Sequence, residues 1–294
     1  MERAKKMGEL RMKKDNNAVK RKISVKVIFT IIMIVFSLFA ISPLLWMISS
    51  SMKVELDVFK FPIEWIPKRW NAIQNYANVW GGEFNFKLYY WNSIKVTVLT
   101  TIFDLIFSSL AAYGFAKINF RFKNQLFLLY LSTIMIPQQV TIVPTFMILR
   151  WLHLYNTHAG LILISSFNVF GVFLLKQYMT SIPDSLIESA KIDGANHFTI
   201  FIKIIVPIIT PALATLAILR SIWTWNDYQN PLIFLADPKL FTIQLGMNKF
   251  LQDYSQSYSL LMVAAVSSII PLIIITIVFQ KYIVGGISSG AVKG

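Results

Sequence analysis

Residues 181–207 read SIPDSLIESAKIDGANHFTIFIKIIVP, and the rest of the chain is best read outward from this stretch. Pro183 and Asp184 suit the start of a helix, since proline's φ is already helical and an acid offsets the positive end of the helix dipole. Ser185 and Glu188 have capping-box spacing. Gly194 is placed to end that helix in a left-handed conformation, and Asn196 to cap a second one running through Phe198, Phe201 and Ile205 to Pro207. The stretch reads as a polar helix–turn–helix bracket. It is expected to expose Leu186, Ile187, Ala190 and Ile192 beside the small residues Ser189 and Gly194, with Asp184, Glu188 and Asp193 making it locally acidic. A docking element for another protein accounts for such a face better than a solvated loop does.

On both sides of the bracket the chain turns apolar. Residues 27–52, 124–149, 151–175 and 254–280 carry no Lys, Arg, Asp or Glu, while 96–116 holds only Asp104 and 204–226 only Arg220. A helix needs about 20 apolar residues to cross ~30 Å of hydrocarbon, and in lipid its backbone must be satisfied within the segment. These stretches therefore predict an all-α integral membrane protein with six transmembrane helices. The whole chain agrees: of 294 residues 55% are hydrophobic and only 14% charged, with a mean hydropathy of +0.58. That composition excludes a soluble enzyme and a disordered regulator. The absence of cysteine excludes disulfides, thiolate metal sites and cysteine nucleophiles.

The net charge of +14 is an orientation signal and does not mark a nucleic-acid surface. Of the 28 Lys and Arg residues, ten lie within 1–26, and eight more fall on the same side once the spans are counted. The positive-inside rule then predicts both termini in the cytoplasm. The first apolar run is far longer than the h-region of a signal peptide and reads as an uncleaved anchor. Four segments follow: a basic N-terminal segment 1–26, the first span with its external loop 27–91, a transmembrane core 92–282 that contains the bracket 181–207, and a Gly-rich tail 283–294.

Residues 188–196, ESAKIDGAN, followed by Ile205-Val206-Pro207, resemble the EAA loop of bacterial ABC importer permeases. Glu188, Ala190, Gly194, Ile205 and Pro207 match, and Ser189 replaces the middle alanine with another small residue. The run Ile192-Asp193-Gly194-Ala195 is similar to the carbohydrate-uptake, MalG-like class. Asn92-Ser93, the run Ser109–Ala116 (SLAAYGFA), Met135-Ile136-Pro137, Trp225-Asn226, Pro231-Leu232 and the tail Gly290–Gly294 extend the likeness over nearly the whole chain beyond residue 22. The resemblance implies a type I ABC importer permease (MetI-like) fold in the bacterial cytoplasmic membrane. It also implies a second, MalF-like permease as heterodimer partner, two cytoplasmic ATPase subunits that bind ATP and Mg, and an extracellular sugar-binding protein that delivers the sugar. In it, Glu188, Ser189, Ala190, Asp193, Gly194, Ala195 and Pro207 would couple to the ATPases. The chain itself has no G-x-x-x-x-G-K-[ST] phosphate loop, so it is expected to bind no cofactor and to be a transport subunit, not an enzyme.

The pathway residues are less specific. Trp46, Trp65, Trp70, Trp80, Trp91, Trp151, Trp223 and Trp225 fall at or beyond the predicted outer ends, as an aromatic belt would. A sharper reading stacks Trp223 and Trp225, beside Asn226, on a sugar ring. Pro137, Gln138, Gln139 and Pro144 predict a broken third span, and broken helices line transport pathways. Gln138, Asn168 and Asn226 are the substrate-facing polar candidates. Asp104 reads as a structural acid, and Arg220 as snorkelling outward or pairing with Asp104. The three histidines have no acidic cluster around them, and no metal site is expected. A stand-alone ion-coupled carrier, the alternative, would need internal repeats and more intramembrane charges than these two.

Overall fold

A computed structural model describes the backbone of residues 2–82, 84–253 and 257–291, and the side chains of 26–82, 84–251 and 257–279. Met1 and residues 292–294 of the sequence-defined end segments lie outside the described residues. Among the described residues the chain is helical without a strand. The helices are α1 (Glu2–Ser51), α2 (Ala72–Gly81), α3 (Phe86–Lys117), α4 (Lys123–Ser132), α5 (Gln138–Trp151), α6 (His158–Ser165), α7 (Val169–Thr180), α8 (Asp184–Ile192), α9 (His197–Ile200), α10 (Val206–Ile208), α11 (Thr210–Trp225), α12 (Gln229–Phe234), α13 (Ile243–Asp253) and α14 (Tyr258–Ala291). The backbone of α14 continues beyond 283, so the segment read as a tail stays helical to Ala291.

Three spans are continuous, namely Lys26–Ser51, Phe86–Lys117 and Tyr258–Phe279. Three more are broken: α4 into α5 bends by 101°, α6 into α7 by 44°, and His197–Ile208 into α11 by 77°. Each break has a local cause. Pro137 has no N–H to donate and holds Ile136 extended (φ −80, ψ 115), which ends the helical run before it. Asn168, extended at φ −127, restarts the fourth span. Ile209 (ψ 5) precedes Pro211 at the start of α11. The fourth span starts at His158 and ends at Thr180, later than its uncharged stretch 151–175 suggests. Leu152–Thr157 is spent on a turn in which His153 and Asn156 have positive φ.

α3 is the axial element and shows why the bundle holds together in lipid. One face carries Asn92, Ser93, Thr97, Thr100, Asp104 and Ser108, all buried, while Val98, Ile102, Phe103, Ile106 and Leu110 are exposed. Among apolar tails there is no hydrophobic drive between helices, so small and hydrogen-bonding residues make the close contacts. α7 and α11 pack on that polar face. Gly171 of α7 lets the three helices come close, since an added Cβ there would lie 2.7 Å from Ser108 Oγ and 3.1 Å from Leu216. The half of the bundle next to α8 and α9 is an apolar core around Leu175, Met179, Ile200, Ile205 and Leu216. A second core around Phe86, Tyr89, Trp225, Phe250 and Val263 joins α2, α3, α11, α13 and α14.

Candidate coupling loop and substrate cavity

α8 begins at Asp184, immediately after Pro183 (φ −59, ψ 135). Ser185 therefore lies inside the first turn and does not serve as the N-cap that its spacing to Glu188 suggests. Gly194 has φ +82, with its N–H bonded to Lys191 O (3.0 Å) and that of Ala195 to Ala190 O (2.9 Å). A side chain rarely tolerates that left-handed conformation. Asn196 Oδ1 then accepts from Thr199 N–H at 2.8 Å and caps α9. A π-helical turn, Phe201–Ile205, follows, in which Val206 N–H reaches back to Phe201 O. This wider turn precedes Pro207, where an α-helical turn would meet the proline ring.

The bracket is two-faced, and the faces differ from the sequence reading. Ile187 is buried, and Ala190 is half-buried against the same core as Ile200 and Ile205, so Ile187 is turned away from the exposed face. Outward stand Leu186, Ile192 (87% exposed) and Phe198, together with Glu188, Ser189, Asp193 and Gly194. Asp184 is engaged within the chain. Lys117 Nζ, at the end of α3, donates to its Oδ1 at 2.7 Å and to Ile182 O at 2.5 Å. This hydrogen bond and the lysine charge hold the Asp184 carboxyl below the usual carboxylate range. Tyr113 Oη lies 3.0 Å from His197 Nδ1, a second tie between α3 and the bracket. Asp184 stays largely exposed with its charge offset by the buried Lys117, so the unbridged acidity that a partner could meet is Glu188 and Asp193.

A cavity of about 480 Å³ opens where α4 breaks into α5. Gln138 and Thr141 of α5, Phe167, Arg220 and Trp223 of α11, and Asp227 and Asn230 line it. Its polar groups form a chain: Gln138 Nε2 donates to Asn230 Oδ1 (2.9 Å), and Asn230 donates through N–H and Nδ2 to Asp227 (3.1 and 2.7 Å). Trp223 stands edge-on to Phe170 at 5.6 Å and is partly exposed.

Beside the cavity lies a buried polar node. Asp104, with no exposure, accepts from Ser108 Oγ at 2.7 Å and from Asn168 Nδ2 at 3.2 Å. Arg220 Nε sits 3.6 Å from Asp104 Oδ2, so the arginine turns into the bundle and does not snorkel to the outer interface. Asn168 also accepts from Phe170 N–H and caps α7. The node thus ties the break of the fourth span to α3 and α11.

Residues 104–289 match the family described as binding-protein-dependent transport system inner membrane component. This chain belongs to that family. It is 32% identical over 271 residues to the arabinooligosaccharides transport system permease protein AraQ of Bacillus subtilis, covering 92% of this chain and 96% of that one. It is 31% identical over 260 residues to the melibiose/raffinose/stachyose import permease protein MelC of the same organism, covering 86% and 91%. Among solved structures, a bacterial ABC transporter involved in the import of the acidic polysaccharide alginate is similar at 28% identity. Its TM-score is 0.77, with 87% of this chain and 95% of that chain covered.

In this permease the five pathway candidates separate. Gln138 and Trp223 line the cavity together. Asn168 lies in the node, bonded to Asp104, and borders a smaller apolar cavity of about 300 Å³ with Phe107 and Tyr130. Trp225 is buried in the second core, its indole N–H donating to Ser268 O at 2.9 Å. Asn226 donates back to Ile222 O and is not among the residues lining the cavity. Asp227, Asn230 and Phe167 were not singled out in the sequence. The one available signal was the polar cluster after Trp225, which placed the site to within four residues but left the facing side chains open.

Proposed function

We propose that this permease carries a sugar or oligosaccharide, delivered by an extracellular binding protein, across the bacterial cytoplasmic membrane and is driven by separate ATPase subunits docked on residues 184–207. The observation that carries the proposal is the two-faced bracket. Ile187, Ile200 and Ile205 bury one side in the helix bundle, while Leu186, Ile192 and Phe198 stand bare beside Glu188 and Asp193. An element wedged into the core at one face and open at the other transmits a push as a rigid-body tilt, because a close-packed interior does not yield locally. The family's dependence on a binding protein and the sugar-import names of its relatives support the substrate class. So does the cavity, since aromatic faces take the apolar side of a sugar ring while amides and a carboxylate take its hydroxyls. A second, related permease would complete the pathway, and ATP and Mg would be held by the ATPases. Both termini are placed in the cytoplasm on the charge distribution, which puts the bracket on the ATPase side.

Affinity purification of the full chain in mild detergent is expected to bring down an ATPase and a second permease. Recovery of the chain with neither would sink the reading. Gly194→Trp is expected to leave membrane insertion intact and to abolish ATP-dependent sugar uptake, because φ +82 disfavours any side chain and the outward face is altered. Unchanged uptake in that variant would remove the docking role of the loop.

A further inference from the structure

The loop that follows the first span is built with its polarity reversed. Between Lys53 and Trp70 the buried side chains include Lys53 and Asp57, while Phe59, Phe61 (88% exposed), Ile63, Trp65, Ile66 (76%) and Trp70 point outward. A loop facing water does the opposite. With Leu56 (82%) the loop has seven large apolar side chains more than half exposed, on the order of 700 Å², at or above the upper end of what a soluble surface carries as a single patch.

The loop is also held in place at a defined depth. Ser49 Oγ, in the last turn of the first span, donates to Trp65 O at 2.6 Å, and Asn71 N–H to Met52 O at 2.8 Å. Asn75 Nδ2 bonds Ser51 O and Lys53 O at 3.0 and 2.8 Å. Glu55 accepts from Tyr258 N–H, Ser259 N–H and Ser259 Oγ at 2.9, 2.8 and 2.7 Å, which fastens the loop to the first turn of α14. The last turn of one spanning helix and the first turn of another thus fix its position. Arg69 closes it with paired bonds to Asp57 of 2.8 and 2.6 Å.

We propose that residues 53–70 form an amphipathic pad seated in the outer leaflet, with its aromatic and aliphatic side chains among the lipid tails and its cations at anionic headgroups. Two observations select lipid as the occupant. The loop follows directly on an apolar span whose side chains from Val27 to Phe39 are exposed all round, with Ile41 and Leu45 still about half exposed nearer the loop and Trp46 of the span 5.8 Å from Phe59 of the loop. The exposed charges are cationic: Lys60, Lys68 and Arg69 are more than half exposed, whereas Asp57 and Glu64 are covered and paired with them. Tryptophans interleaved with Lys and Arg suit the interface, where rings sit at headgroup depth and long cations reach the phosphates. The side of the membrane rests on the cytoplasmic placement of the termini.

The chain has no cysteine, so single-cysteine variants carry one label each. Phe61→Cys, Ile66→Cys and Lys68→Cys would be spin-labelled in the full-length permease, alone and as the purified complex. Each would be placed in nanodiscs of phosphatidylcholine with or without phosphatidylglycerol. At Phe61 and Ile66 we expect collisions with oxygen to exceed those with a water-soluble nickel chelate, with the order reversed at Lys68. Phosphatidylglycerol is expected to raise the contrast. Free access of the chelate at Phe61 and Ile66 overturns the proposal, as does exclusion of both reagents in the complex, which would mean that a protein covers the patch. Labelling of Lys68→Cys in intact cells by a membrane-impermeant thiol reagent tests the topology separately. Failure there would reassign the leaflet without changing the collision result.

Discussion

Replacing Asp104 by alanine isolates what the buried node contributes. The variant removes the carboxylate that faces Arg220 at 3.6 Å and takes a partner from both Ser108 and Asn168. Removing one member of a buried ion pair costs about 3–5 kcal/mol, because the other charge stays buried and unpaired. The separation here exceeds the roughly 2.8 Å of a charge-assisted bond, which places the ionic part at the low end of that range. The two lost hydrogen bonds add on the order of 1 kcal/mol each, partly recovered where Ser108 can turn to its own helix. We therefore expect Asp104→Ala to destabilise the permease by about 4 kcal/mol, or ~10³-fold in the unfolding constant. Asp104→Asn, which keeps the shape and one acceptor, should lose less. Unfolding of the purified chain by sodium dodecyl sulfate in dodecyl maltoside micelles, followed by tryptophan fluorescence, reads this out. The double variant Asp104→Leu/Arg220→Met should recover at least ~2 kcal/mol relative to Asp104→Ala, since no charge is then left unpaired. A loss below ~1 kcal/mol for Asp104→Ala, or no recovery in the double variant, would refute the idea that this carboxylate holds Arg220.

Gly171→Leu should force α7 from α3 and α11, since even a Cβ meets Ser108 Oγ at 2.7 Å; we expect ~1–3 kcal/mol of destabilisation in the same assay. Trp223→Ala should weaken sugar uptake about tenfold in KM with little change in stability, because its ring is partly exposed at the cavity. Trp225→Ala should instead destabilise the fold by about 3–5 kcal/mol, its ring being buried against α14. The Asp184–Lys117 contact sets a pH window. Since the folded carboxyl titrates below its ordinary value of 3.8, its contribution is fully present above that value and is lost as pH falls through the lower, folded one. Hydrogen exchange over 182–186 should therefore be unaffected by this contact between pH 7 and 5 and rise only in stronger acid, and Asp184→Asn should remove that acid step.

The helical class and six apolar stretches were legible in the chain because a bilayer admits few solutions. Any uncharged run near 20 residues has to satisfy its backbone internally. Pro137 announced the break of the third span for an equally local reason, a missing N–H. Gly194 and Asn196 behaved likewise, since a left-handed turn and a helix cap depend on the residue itself and its near neighbours.

Direction was not legible. Ile187 and Ala190 belong to the apolar side of a short helix whose periodicity is compatible with burial or with display, and only the packed bundle turns them inward. Arg220 lies far from Asp104 in sequence, and snorkelling and pairing use the same side chain, so the crossing of α3 and α11 decides between them. Trp223 and Trp225 look equivalent two residues apart. On a helix that spacing separates them by about 200°, which sends one ring to the cavity and the other into the core. The sequence by itself determined that the chain lies in a membrane, roughly where its spans are and where the helix–turn–helix bracket starts, turns and restarts. Tertiary structure alone decided which side chains face the cavity, the core or lipid, because that depends on how helices distant in sequence cross.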